Sequence, residues 1–390
     1  MNNTHNLKLV FFRATNLLST IGVTDWRIGL FLPEFGFEIW IYGISQLAPD
    51  QKCGVHFVQI NLPRLPYIAT LISSFIYAFK AAKVKPDVLV CNPGLALAAI
   101  IHKFLHPRVK VILDVRTIPV ETDGLNGLIH AAYFDLIMRL KFYDALSTIT
   151  QGMLVELDNK YKFIRSLPTN VWGSGFDHEL FVPCSDVYLH TQISKPKIGQ
   201  ILIMYHGSFS NHRGLFEAVK AMRLLKDSNA EDVSLVLVGK GPARDELQKL
   251  VSKLSIDDYV SILPAVPIHE LPDLISSASL GIDLLPDHPW WRNQSSMKVY
   301  EYLAMGKPVL ATDLPCHRGL SEGILLIPDN SPETIANAIL EYRNLPPERK
   351  AYLQAAALRD VKNHTWRARA RTFADFIKQE VLEPQAYRDA

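Results

Sequence analysis

Short apolar runs alternate along the chain with longer segments in which apolar residues recur every three to four positions. In the first half, the short runs predict buried strands at residues 8–12, 38–42, 55–60, 87–91 and 109–115. The longer segments predict helices at residues 25–35, 68–83, 95–105 and 125–143. This alternation is typical of a parallel sheet that is covered by helices on both faces.

The same alternation begins again after a polar, irregular segment at residues 183–199, which we interpret as a linker. Further strands are predicted at residues 201–205, 233–238, 260–263, 280–285 and 308–312. Further helices are predicted at residues 215–226, 244–254, 269–277, 297–305 and 365–381. The sequence therefore predicts an α/β protein with two facing, Rossmann-like, doubly wound domains and a ligand-binding cleft between them.

The predicted domains span residues 1–185 and 200–364, and a last helix at residues 365–385 is expected to pack back on the first domain. The 390 residues, of which 48% are hydrophobic and 21% charged, suffice for two domains with sizeable cores. Lysine and arginine number 41 against 39 aspartates and glutamates, so the net charge of +2 predicts no nucleic-acid partner.

The cysteines are widely spaced along the chain, and they are Cys53, Cys91, Cys184 and Cys316. This spacing argues against a zinc site or a disulfide framework, and it favours a reducing, cytoplasmic location. The polar residues 1–7 are not expected to form a secretory signal.

One apolar segment leaves two interpretations open. Residues 65–79 carry no charge, but they are fewer than the roughly 20 residues that a membrane-spanning helix needs. The segment is either a buried helix of the first domain or a helix that lies on a membrane surface. The second interpretation arises because Phe75 and Phe79 are followed directly by Lys80 and Lys83.

The most specific motif lies in the second half, where residues 297–312 join a helix to a strand through the turn Gly306-Lys307-Pro308. This segment resembles the donor-site signature of glycosyltransferase family 4. Other segments resemble pieces of the same family in the same order, and they lie at residues 175–181, 207–215, 236–242, 263–272 and 277–286. The resemblance extends over residues 9–376, and it is more specific in the second half than in the first.

This resemblance implies the GT-B fold and retaining transfer of a hexose from a nucleotide sugar to an acceptor hydroxyl, with the donor held by the second domain. The leaving phosphate would deprotonate the acceptor, so the protein would mainly position substrates and stabilise the departing charge. No metal is expected, and the nucleotide sugar is a co-substrate rather than a cofactor.

Members of the family commonly build polysaccharides or glycolipids, which implies a sugar or a lipid-linked acceptor. We therefore expect a place at the inner face of the membrane, where the aromatic and basic surface from Phe75 to Lys83 could associate peripherally with anionic lipid. Arg139 and Lys141, on another predicted helix of the first domain, would add to the basic surface near Lys80 and Lys83.

The resemblance also assigns candidate residues. Arg213 and Lys298 would neutralise the donor diphosphate at a helix N-terminus, and Glu301 would accept both ribose hydroxyls. The base would lie near Val266. The candidate donor-binding residues are Gly207, Ser208, Arg213, Gly214, Gly239, Val266, Ser295, Ser296, Met297, Lys298 and Glu301. The candidate catalytic residues are Arg213, Lys298, Glu301, Asn293, Asp114 and Arg116.

The sequence departs from the family pattern at several positions. Family members often have two glutamates eight positions apart, but Asn293 stands where the first would be. Ser208 stands where the loop often has an arginine. In the first domain, Gly22 is the single glycine of the expected acceptor loop, and Asp114 and Arg116 occupy a region where the family often has a histidine.

Structural interpretations stay open beside these functional ones. Lys298 and Glu301 fit a simple helix-surface pair, and Asp114 and Arg116 fit a structural ion pair. His206 is interpreted as a strand-end residue rather than as a catalyst. Other residues with two open interpretations, as site or as structure, are Arg13, Asn16, Gly207, Gly214, Asn293, Ser295, Ser296, Trp290 and Trp291.

Two other functions also stay open. One is an epimerase or hydrolase of nucleotide sugars with the same fold, and the other is a nucleotide-binding scaffold subunit without catalytic activity. A dinucleotide-dependent oxidoreductase is disfavoured, because Gly239-Lys240-Gly241-Pro242 lacks the third glycine of the phosphate-binding fingerprint.

Overall fold

The computed structural model describes residues 6–13, 27–43, 54–60, 68–119, 124–183 and 200–383. The chain divides into two compact units, each of which is built around its own parallel sheet. Unit 1 consists of Met1–Ser174, Asn293–Ser295 and Trp366–Ala390, whereas unit 2 consists of Gly175–Arg292 and Ser296–Thr365. Most of the predicted linker, residues 184–199, lies outside the described residues, as do Asn16, Gly22, Cys53 and Cys184.

The sheet of unit 1 is formed by parallel strands in the order β3-β2-β1-β4-β5-β6-β7. These strands are β1 (Leu7–Phe12), β2 (Phe37–Gly43), β3 (Val55–Gln59), β4 (Val88–Cys91), β5 (Lys110–Val115), β6 (Ala145–Thr148) and β7 (Thr169–Val171). The helices between them are α1 (Ile68–Val84), α2 (Ala96–Leu105), α3 (Gly124–Arg139) and α4 (Gln151–Lys160). The central strands are apolar throughout because helices cover both faces of the sheet, and every residue of β4 is buried.

The predicted helix at residues 25–35 is described from residue 27, and its last turn is a 3₁₀ helix, Leu32–Phe35. Gly36 ends it in the left-handed region, with φ of 82°. The strands β6 and β7 and the helix α4 were not predicted from the sequence. α4 begins at Thr150, whose side chain accepts a hydrogen bond from the backbone N–H of Met153.

The sheet of unit 2 is also parallel, in the order β10-β9-β8-β11-β12-β13. Its strands are β8 (Ile201–Ser208), β9 (Val233–Lys240), β10 (Val260–Leu263), β11 (Leu280–Asp283), β12 (Val309–Thr312) and β13 (Ile324–Ile327). Its helices are α5 (Leu215–Asp227), α6 (Arg244–Lys253), α7 (Leu271–Ser277), α8 (Pro289–Arg292), α9 (Met297–Ala304), α10 (Pro332–Asn344) and α11 (Pro347–Val361). The strand β13 and the helices α8, α10 and α11 were not predicted.

The final helix, α12 (Trp366–Phe376), continues as a wider helical turn through Ile377–Leu382 and belongs to unit 1. Phe373 of this helix lies on the rings of Phe11 and Trp172, with ring centroids 6.4 and 5.4 Å apart. The strand orders of both sheets are those of Rossmann-like domains, so the predicted α/β class with two such domains is confirmed.

Candidate functional site

Most of the candidate donor-binding residues lie at one end of the sheet of unit 2, where β8, β11 and β12 finish. Helix α9 begins there at Met297, and Ser296 precedes it without a side-chain capping hydrogen bond. In open parallel sheets, the carboxyl ends of the strands are the place where ligands bind. The end of this sheet therefore brings Gly207, Lys298 and Glu301 together.

Two of the candidate glycines have a packing reason that needs no ligand. A Cβ atom on Gly239 would lie 1.9 Å from the carbonyl oxygen of Gly207, so these neighbouring strands approach too closely for any side chain. Gly214 has φ of +68°, and a Cβ atom there would lie 1.9 Å from the carbonyl oxygen of Leu284. Both glycines therefore shape the loops at the strand ends.

Lys298 is buried rather than free in solution. Its Nζ atom lies 3.1 Å from Oδ1 of Asp283 and 5.1 Å from the ring centroid of Tyr205. Its Cε atom lies 3.6 Å from the place that a Cβ atom on Gly207 would take. The side chain thus passes beneath Gly207, and the sequence analysis missed the carboxylate that receives it.

Asp283 is a fully buried carboxylate at the last position of β11. Its other oxygen, Oδ2, lies 3.2 Å from Nε2 of His317, which sequence reasoning also missed. Burial favours the neutral acid, but Lys298 and His317 outweigh it and hold the pKa of Asp283 well below its usual range. Burial likewise opposes the charge on His317, but the hydrogen bond to Asp283 raises the pKa of His317 to about 10.

A readable signal for Asp283 did exist in the sequence. An aspartate inside the apolar run Leu280 to Leu285 would be buried, and a buried carboxylate needs a cationic or hydrogen-bonding partner. His317 carried no comparable signal, because it lies five residues after the end of β12 in an irregular segment.

The side chain of Glu301 lies next to that of His206. Oε2 of Glu301 lies 3.3 Å from Nε2 of His206. Burial, together with the nearby charge of Lys298, lowers the pKa of His206 to about 3. The ring of His206 is therefore neutral, and its contact with Glu301 is not an ion pair. His206 lies buried beside the carboxylate, two residues before the end of β8.

Arg213 is held by an aromatic ring. Its guanidinium carbon lies 4.5 Å from the ring centroid of Trp291, and its Nε atom is buried without a hydrogen-bond partner among the described residues. Trp290 stacks on Trp291 with ring centroids 5.9 Å apart, and it is 40% exposed. Ser208 is exposed at the end of β8. Trp291 therefore packs against Arg213, and Trp290 packs against Trp291 at the surface of unit 2.

Asn293 and Ser295 group with unit 1 and not with helix α9. The side-chain amide of Asn293 donates to Glu156 over 2.7 Å, and the backbone carbonyl oxygen of Asn293 accepts from the hydroxyl of Thr150. Oγ of Ser295 accepts a hydrogen bond from the backbone N–H of Ser174 over 2.9 Å. The two residues have structural partners within unit 1, and their predicted contact with a donor stays a prediction.

Asp114 and Arg116 belong to a buried polar network of unit 1. Asp114 accepts hydrogen bonds from Arg13 over 2.8 Å and from Ser147 over 2.6 Å. Arg116 lies 3.5 Å above the ring centroid of Trp172 and donates to the carbonyl oxygen of that residue. Of the two interpretations of this pair, these contacts favour the structural one, because both side chains are used within the unit.

Val266 is half-buried against the core of unit 2, just after β10. Across the described ranges, no three histidine, cysteine, aspartate or glutamate side chains converge as metal ligands would. The same ranges contain no helix that is both long and apolar enough to cross a membrane.

Residues 200–344, which hold nearly all of these candidates, match the family model described as glycosyl transferases group 1. The chain is 26% identical over 160 residues to alpha-D-kanosaminyltransferase of Streptomyces kanamyceticus, with 40% of each chain covered. The chain thus spans well under half the length of the curated relatives that it matches.

Similarity to solved structures extends over nearly the whole chain. Sucrose-phosphate synthase of Thermosynechococcus elongatus has a TM-score of 0.78 at 15% identity, covering 96% of this chain and 98% of that one. HepE of Anabaena, in complex with UDP and glucose, has a TM-score of 0.75 at 15% identity, covering 96% of this chain and all of that one. The fold is GT-B.

Proposed function

We propose that the protein is a retaining glycosyltransferase of the family 4 type, which moves a hexose from a nucleotide sugar to an acceptor hydroxyl. The observation that carries this proposal is the convergence of Gly207, Lys298 and Glu301 at the strand ends of unit 2. This convergence lies inside the segment that matches the glycosyltransferase family model.

In this proposal, the donor diphosphate lies at the start of α9 and accepts hydrogen bonds from backbone N–H groups of the first turn. Lys298 stabilises the negative charge from beneath, and the guanidinium of Arg213 does so from the loop. Glu301 accepts the two ribose hydroxyls, and the base lies near Val266. UDP is the first nucleotide to test, because HepE binds UDP and glucose.

The chemical step breaks the bond between C1 of the sugar and the β-phosphate oxygen. The acceptor oxygen forms its bond to C1 on the same face, and its proton passes to the departing phosphate. Lys298 and Arg213 stabilise the charge that develops on that phosphate, and no metal is assigned to the step.

The acceptor is proposed to be a sugar or a lipid-linked saccharide in polysaccharide or glycolipid synthesis, at the cytoplasmic face of an anionic membrane. Exposed apolar side chains on α1 support a membrane-facing unit 1. Ile72, Phe75 and Phe79 line a shallow apolar groove of about 450 Å³, with Lys80 and Lys83 at its margin. On α3, an exposed apolar face points away from the core and consists of Leu125, Leu128, Ile129 and Leu136, and the exposed Leu140 follows directly after the helix.

The donor site is tested by thermal shift with UDP, GDP, ADP and CMP and their common sugars. A nucleotide at a hundred times its dissociation constant should stabilise the protein by about 2.7 kcal/mol. Glu301→Ala should abolish this shift, whereas Glu341→Ala, at an exposed helical glutamate of the same unit, should keep it.

Absence of any shift would contradict the proposal and favour a scaffold without a nucleotide site. A shift followed by hydrolysis or epimerisation of the sugar without an acceptor would favour the epimerase or hydrolase. Transfer to an added acceptor with retained anomeric configuration would support the glycosyltransferase.

A further inference from the structure

Beneath Gly207, one buried carboxylate is shared between two cationic side chains, whereas a simple salt bridge has only one. We call Lys298, Asp283 and His317 the ion cluster. Each oxygen of the Asp283 carboxylate faces a different cation, with Oδ1 3.1 Å from Nζ of Lys298 and Oδ2 3.2 Å from Nε2 of His317. The three side chains come from β11, from the first turn of α9 and from the segment after β12. All three are buried.

The hydrogen bonds of His317 fix its charge. Nδ1 of His317 lies 2.7 Å from the carbonyl oxygen of Thr312, and a carbonyl can only accept. Nε2 faces the carboxylate of Asp283, which also accepts. Both ring nitrogens must therefore carry a hydrogen, and His317 is an imidazolium.

The second cation changes what Lys298 can do. An isolated pair of Lys298 and Asp283 would be neutral as a whole and would attract an anion only weakly. His317 engages the far oxygen of Asp283, so the carboxylate is shared between two positive charges. Lys298 has three N–H groups, and its bonds to Asp283 and, over 3.5 Å, to Oγ of Ser296 leave one of them for a further acceptor.

Stability alone does not account for this cluster. Burial of several charged groups carries a large desolvation cost, and well-packed apolar side chains of similar volume are often as stable or more stable. The cluster also lies directly below the backbone of Gly207, where Cε of Lys298 would be 3.6 Å from a Cβ atom. Its position at the strand ends points to a ligand.

We propose that Asp283 and His317 are positioning residues that hold the Lys298 ammonium beneath Gly207, charged and oriented toward a phosphate of the nucleotide diphosphate. This inference rests on the proposed function and deepens it. It assigns the affinity for the phosphate groups to the triad of Lys298, Asp283 and His317, whereas Glu301 binds the ribose. The two parts of the donor should therefore respond to different substitutions.

The test compares the affinities for UDP and for uridine, measured by calorimetry on the full chain. His317→Gln keeps a donor for Asp283 but removes the charge, so the affinity for UDP should fall about ten-fold or more. The affinity for uridine, which has no phosphate, should stay within two-fold. His130→Gln, at an exposed histidine of unit 1, should change neither.

The outcomes separate this inference from the donor proposal. One outcome is that Glu301→Ala loses affinity for both uridine and UDP, while His317→Gln binds both as tightly as the unaltered protein. This outcome would contradict the role of the triad but would still support the donor site. An equal loss of both affinities in His317→Gln would assign the histidine to the fold alone. No binding of UDP to the unaltered protein would remove both proposals.

A second measurement covers the case in which His317→Gln does not fold. In the unaltered protein with ¹⁵N-labelled histidine at pH 8, the His317 ring should show two protonated nitrogens. UDP should shift these signals, and uridine should not. A single protonated nitrogen, or equal shifts with both ligands, would contradict the proposal.

Discussion

Single residues at the strand ends of unit 2 carry both the candidate chemistry and much of the local constraint. Gly214 and Gly319 have nearly the same φ, +68° and +71°, but a Cβ atom would meet other atoms within 4 Å only at Gly214. A substitution at Gly319 thus measures the free-energy cost of the positive φ alone, whereas one at Gly214 adds the cost of a steric clash.

We expect Gly319→Ala to lower the free energy of unfolding by about 1–2 kcal/mol, the cost of a left-handed backbone for an alanine. Gly214→Ala should cost clearly more, because its Cβ atom would meet the Leu284 carbonyl at 1.9 Å and the backbone must move. Urea unfolding of the two variants measures the difference. Equal losses would show that the loop after β8 yields without strain.

The charge on His317 makes the stability of unit 2 depend on pH. The folded pKa of about 10 lies above the ordinary value of 6.5, so the contribution of His317 is complete below about pH 6.5. It is lost as the pH rises through about 10. The difference in unfolding free energy between the unaltered protein and His317→Gln should therefore shrink from pH 6.5 to pH 10. A difference that grows with pH would show that the ring is neutral in the folded protein.

At the scale of elements, the sequence predicted those that are long or apolar throughout. The strands β1, β4 and β5 stood out because both faces of a central strand are buried. The strands β7 and β13 lie at sheet edges and have three and four residues, too few for a periodic signal. The helices α10 and α11 carried readable prolines at their starts, which a search for periodicity alone does not use.

The same limit applies to the site. The donor roles of Lys298 and Glu301 were predicted because both lie in one continuous segment, residues 297–312, that resembles a family motif, and these roles stay predictions. The contacts of Lys298 with Asp283 and His317 were not, since they join segments that are distant in sequence. Local patterns report neighbours along the chain, whereas this cluster is made by the order of strands in a sheet.

Helix α3 offers a matched pair of adjacent residues, one exposed and one buried. Leu136 is 54% exposed, whereas Ile137 is buried. Leu136→Ser should change the free energy of unfolding by less than about 0.5 kcal/mol, as surface substitutions usually do. Ile137→Ser should cost several kcal/mol, because it places a hydroxyl in the core and leaves a cavity.

Flotation with liposomes of anionic lipid then tests the proposed role of the exposed face. Leu136→Ser should float less than the unaltered protein although it is equally stable. Undiminished flotation would mean that α3 does not contact the lipid.

At the scale of the whole molecule, the small net charge is the sum of a basic unit 1 and an acidic unit 2. Unit 1 has 22 lysines and arginines against 16 aspartates and glutamates, and unit 2 has 19 against 23. The basic unit is also the one with the exposed apolar helices. Charge and apolar surface therefore coincide on the unit that we propose to face the membrane.

Binding to anionic vesicles should accordingly weaken as salt rises, because the screening length shortens from about 10 Å at 0.1 M to about 3 Å at 1 M. Flotation at low and high ionic strength measures this, with vesicles of neutral lipid as the control. If binding depends neither on salt nor on lipid charge, the electrostatic contribution is wrong and apolar contact alone accounts for the binding.

Helix α12 also has a consequence for the order of synthesis. Unit 1 is nearly complete at Ser174, but Phe373, which covers Phe11 and Trp172, is made roughly 200 residues later. At about 5–20 residues per second, the ribosome needs about 10–40 seconds for that interval. During this time a nascent unit 1 shows bare aromatic rings, while unit 2 emerges and folds. The half that is made first is finished last, and it is the half for which a chaperone would have the longest use.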